Sequence, residues 1–103
     1  MDVDALVGRG WSEHPTDPEG VAARLREGID LVQDGAGATK FMNLVNHVVG
    51  DHLGLRDEAA RLCEQAIRRA GTDPGPGAHV HLAVARTLMG DEAGAQAAIA
   101  GLG

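Results

Sequence analysis

The chain is 103 residues long, enough for one domain with a single modest core. Its formal charge of −6 argues against nucleic acid, whose phosphates call for a Lys/Arg surplus, and against anionic membrane surfaces. Apolar residues make up 44% of it, yet there is no Tyr, one Phe (Phe41) and one Trp (Trp11), so aliphatic side chains must fill the core.

Residues 1–16 read as a flexible leader. Gly8, Gly10 and Pro15 limit it to one or two helical turns over Asp2–Val7. Met1–Gly10 lacks the basic and apolar pattern of a signal peptide. Asp17-Pro18-Glu19 then opens a helical domain spanning residues 17–103. Asp caps, Pro suits the first helical position, and Glu favours the positive helix end. Val21, Leu25, Ile29 and Val32 keep helical spacing to about Gln33. Asp34-Gly35-Ala36-Gly37-Ala38 reads as a flexible link.

The second helix is expected from Thr39 to Leu53, with Gly54 as a left-handed cap. Phe41, Met42, Leu44, Val45, Val48, Val49, His52 and Leu53 cover about half its circumference, which marks a central helix touched on two sides. The third helix spans Arg56 to Ala70, with Ala59, Leu62, Cys63, Ala66, Ile67 and Ala70 as its apolar stripe. After the breaker Gly71–Gly77, a fourth helix runs to Met89, and a short fifth follows from Glu92 to Leu102. No run alternates as a strand would. Nothing reaches the roughly 20 apolar residues of a membrane span. One cysteine excludes an internal disulfide and suits a reducing cytosol, so the chain is expected to be cytoplasmic.

Two segments 36 residues apart share an order: Leu53-Gly54 with Ala59, Leu62, Cys63 and Ala66, then Met89-Gly90 with Ala95, Ala98, Ile99 and Leu102. Each joins a helix, a glycine turn and an Ala-rich helix. In this the chain resembles the tetratricopeptide repeat family. Leu82-Ala83 stands where that family has Leu-Gly, and Ala95 with Ile99 where it has Ala-xxx-Phe, while His79 and Arg86 replace its aromatics. The resemblance covers about residues 39–102. It implies an all-α fold of about five helices, paired antiparallel and stacked as a short solenoid.

The histidines His14, His47, His52, His79 and His81 raise the question of a metal. On an α-helix His47 and His52 are separated by about 140°, and His79 and His81 by about 160°. Neither pair chelates one ion locally, so no metal site is expected, although ligands on different helices could meet. His47 and Asp51 can pair across a helical turn, which is half of a catalytic relay. The nucleophile is missing. Ser12 lies in the leader, and Cys63 belongs to an apolar stripe that predicts an inert thiol. Gly35-Ala-Gly and Gly75-Pro-Gly lack the context of a phosphate loop and read as turns.

Together these features predict a protein-binding module without a cofactor, not an enzyme. By the family likeness, Phe41, Leu44, Val48, Asp51, Val80, Val84 and Thr87 would line a groove for a peptide or helix of a partner. The polar patch Asn43, Asn46 and His47 reads first as a solvated face, and alternatively as side chains set to hold a peptide backbone. The apolar stripe of the last helix, without a polar cap, predicts a homodimer. The alternative is a small-molecule-binding or enzymatic bundle in which Asn43, His47, His79 and Arg86 converge.

Overall fold

The computed structural model describes residues 1–100, and among them every regular element is helical. The elements are α1 (Val3–Glu13), α2 (Pro18–Gly28), a 3₁₀ turn (Ile29–Leu31), α3 (Gly35–Val45), a π-helical segment (Asn46–His52), α4 (Arg56–Ala70), α5 (Pro76–Leu88) and α6 (Glu92–Ile99). Six α-helices thus replace the expected five. The expected continuation of the last helix to Leu102 lies outside the described residues.

Side-chain caps set most of the starts. Asp2, Asp17, Asp34 and Asp91 each accept the amide of the residue three positions on, at 2.7–3.0 Å. The Asp34 cap explains why the glycine-rich stretch expected as a link is instead the first turn of α3. The Thr39 hydroxyl supports that turn by donating to the Gly35 carbonyl at 2.8 Å. Pro18 and Pro76 open α2 and α5 from positions where no intrahelical donor is lost. Gly54, at φ +69°, ends the central helix in the left-handed conformation expected for it, with the Leu55 amide donating back to the Val49 carbonyl.

The leader is the main correction. Residues 3–13 form a capped helix whose Leu6 and Val7 are buried. Gly10 makes the docking possible, since a Cβ there would lie 2.5 Å from Leu44 and 3.2 Å from Val21. The glycine that weakens the helix locally therefore lets α1 lie close on α2 and α3.

The α3–π helix is the centre of the molecule, as its wide apolar arc predicts. It touches α1, α2, α4 and α5, and Phe41, Met42, Leu44, Val45, Val48 and Val49 have no exposed surface. Burying a side chain of this kind contributes roughly 1.5–3 kcal/mol. The face expected to be concave and open is covered, so Phe41, Leu44 and Val48 line no groove in this chain.

Candidate metal centre

The last turns of the central helix leave the α register. Leu53 donates its amide to Val48, five residues back, at 3.0 Å. In such a π turn residues five apart stack one above the other. His47 and His52 have that spacing, and their Nε2 atoms lie 3.2 Å apart.

A third imidazole joins them from α1. His14 caps that helix, its amide donating to the Gly10 carbonyl. Its ring Nδ1 lies 2.7 Å from the Trp11 carbonyl. A carbonyl only accepts, so Nδ1 carries the proton, and in the neutral ring Nε2 carries a lone pair. That Nε2 lies 3.1 Å from Nε2 of His47. Trp11 packs beside both rings, at 5.5 Å from His14 and 5.1 Å from His47 between centroids.

Three neutral imidazoles cannot satisfy this arrangement with their own protons. If His52 donates to His47, two lone pairs face each other across the 3.1 Å gap. If His47 donates, its single N–H is forked between two acceptors. A single cation would accept all three lone pairs at once. With Zn–N bonds of about 2.0–2.1 Å, two ligand nitrogens of a tetrahedral ion stand about 3.3–3.4 Å apart. The His14–His47 and His47–His52 separations fall just inside that figure, and the His14–His52 pair, within 4.8 Å, would close toward it around a bound ion. One ring nitrogen of each of the three residues lies within 4.8 Å of the others, and this is the one such group among the described residues.

The surroundings suit a ligand set. His14 and His47 are half-buried and His52 is exposed, so one side is open to solvent. Desolvation holds the His47 pKa below its ordinary value, reinforced by His14 and His52 and opposed by Asp51. That favours the neutral ring a metal requires. The contact from His14 Nδ1 to a backbone carbonyl is the usual way a metal-binding imidazole has its tautomer fixed.

The residues singled out from the sequence divide clearly. His47 belongs to the cluster, while His14 and His52 were passed over. The local signal for the pair was a five-residue spacing, which misses one face of an α-helix and matches one face of a π-helix. Asn46, read as solvated or as holding peptide backbone, is buried and holds backbone of its own chain: Nδ2 donates to the His81 carbonyl at 3.0 Å. Asn43 and Asp51 are exposed, and His79 is half-buried. Arg86 donates to the Gly94 carbonyl at 3.0 Å and reaches Glu64 at 3.5 Å, tying α5 to α6 and α4. Arg86 and His47 thus serve different partners and do not form a common site. Val80 and Val84 are 46% and 41% exposed, and Thr87 is exposed beside them on α5.

Compared with known proteins, the chain matches no family model, no curated protein and no solved structure. The tetratricopeptide likeness rests on its sequence motifs alone. No helix among the described residues is long and apolar enough to cross a membrane.

Proposed function

We propose that this chain is a metal-binding helical domain that holds one divalent cation of the zinc class on the Nε2 atoms of His14, His47 and His52. The observation that carries the reading is the convergence of the three imidazoles, with Nε2 separations of 3.1 and 3.2 Å. Imidazole nitrogens without carboxylate or thiolate suit Zn2+, Co2+, Ni2+ and Cu2+, and disfavour Mg2+ and Ca2+. Three protein ligands would leave one position of a tetrahedral ion for water, on the side open to solvent. The proposal is for binding, without a catalytic step.

Titration of the chain with Zn2+ by calorimetry tests it, with Co2+ as the spectroscopic substitute. One ion per chain and a tetrahedral Co2+ spectrum are expected. His14→Ala, His47→Ala and His52→Ala should each weaken binding and alter that spectrum. Affinity no higher than that of the triple alanine variant would refute the site.

A second reading, a protein-binding module, is supported by Val80 and Val84, exposed one turn apart on α5. A cytoplasmic setting and a tetratricopeptide-like stacking of α3–α4 on α5–α6 belong to it, with a second copy of the chain as the partner. Sedimentation equilibrium of the wild type and of Val84→Glu decides this: a monomer mass for both excludes the homodimer.

A further inference from the structure

The alignment of His47 with His52 depends on the central helix being π rather than α over Asn46–His52. A π turn is rare because it is less favourable than the α turn it replaces. Something in the surrounding structure must hold it. Asn46, the first residue of the segment, is the one buried polar side chain among the described residues. Its side chain is fixed at both ends. Nδ2 donates to the His81 carbonyl of α5 at 3.0 Å, and Oδ1 accepts from the Cys63 thiol of α4 at 3.6 Å. Within the same segment Gly50 is also buried, and a Cβ on it would lie 3.6 Å from Ala59 of α4 and 3.8 Å from Leu88 of α5. Asn46 and Gly50 thus face α4 and α5, while His47 and His52 meet His14 of α1.

We propose that Asn46 is a positioning residue of the three-histidine site: by anchoring the start of the π segment to α4 and α5, it sets the register that brings His52 over His47. The inference rests on the metal-binding reading above. Asn46 makes its side-chain hydrogen bonds with His81 and Cys63 and not with a ligand ring, so it acts through the backbone. Apolar packing alone does not require an amide there, because a leucine of similar size would fill the same space. The amide supplies direction, since its two bonds fix the rotation of the helix at the point where the register changes. Without them the segment is free to return to the α form, which carries His52 away from His47 and brings position 51 toward it.

The test is a register swap in the full chain, read by Zn2+ calorimetry and the Co2+ spectrum, with circular dichroism confirming the fold of each variant. Asn46→Leu should lower affinity about 10–100-fold, the range for groups that orient metal ligands. In a His52→Ala background it should cost little more, since the misplaced ligand is already gone. The decisive variant is Asp51→His with His52→Ala, which moves the second histidine to α spacing. With Asn46 present it should bind poorly; with Asn46→Leu it should recover affinity. A residue that merely stabilised the fold would produce no such reversal. If Asn46→Leu does not fold, Asn46→Ala replaces it throughout. Should the leucine variant bind Zn2+ as the wild type does, or its loss simply add to that of His52→Ala, the positioning role is overturned and the metal site stands. A wild type that fails to bind Zn2+ overturns both.

Discussion

Nε2 of His47 and Nε2 of His52 stand 3.2 Å apart although the two residues are five positions apart in one helix. In an α-helix about 140° would separate them. A change of hydrogen-bonding register over a few residues therefore turns two unrelated surface histidines into neighbours. His14 reaches the same point only because α1 docks closely enough on the central helix.

That docking is testable at Gly10. A Cβ there would lie 2.5 Å from Leu44 and 3.2 Å from Val21, both buried, so these side chains must give way. Gly10→Val should destabilise the chain by about 1–3 kcal/mol, as overpacking does. It should also weaken Zn2+ binding, because α1 carries His14. Urea unfolding and calorimetry measure the two effects, and unchanged stability would show that α1 does not pack as described.

Cys63 should be slow to react. Burial pushes its thiol up to about 12, and the Glu64 carboxylate acts in the same direction. The side chain has no exposed surface. Labelling with a thiol reagent at mild pH should be far slower in the folded chain than in denaturant. Equal rates would mean that α4 is not seated as described.

Stability should fall on mild acidification, in part through His81. Burial holds this imidazole below its ordinary 6.5. The unfolded chain therefore takes the proton first as the pH drops. His81 contributes its full stability above about pH 6.5 and loses it as pH falls through the lower folded value. His47 is shifted in the same direction. The urea midpoint should fall between about pH 7.5 and pH 5.5, and fall less in His81→Gln. An equal fall in both would remove His81 as a cause.

The helical plan was legible where local chemistry decides it. Asp17-Pro18 announced α2, Arg56–Ala70 was bounded correctly, and Gly54 was readable as the cap. Cys63 was placed in the core by its stripe. What escaped depends on contacts between distant segments. The leader looked weak because Gly8 and Gly10 lower helix propensity, whereas the value of Gly10 lies in tertiary packing against Leu44. Phe41, Leu44 and Val48 looked available because the packing of the central helix on every side, including α1 against Leu44, was not foreseen. The three-histidine cluster was invisible for two reasons together. Its first ligand lies 33 positions from its second, and the second and third align only in a register that an α-helical wheel does not contain.

The distance along the chain between His14 and His47 has a thermodynamic consequence. An unfolded chain that wrapped one ion with all three imidazoles would have to close a loop of 33 positions. By the chain-entropy relation for a crosslink, that closure costs about 4 kcal/mol. In the native molecule the loop is already closed by α1 lying on α3. An ion held by all three imidazoles would therefore favour the native chain over the denatured one, and the preference would be set by topology as well as by ligand chemistry. On the proposed reading, free Zn2+ should act as a mass-action brake on unfolding: the melting temperature should rise with the logarithm of ion concentration once the site is filled.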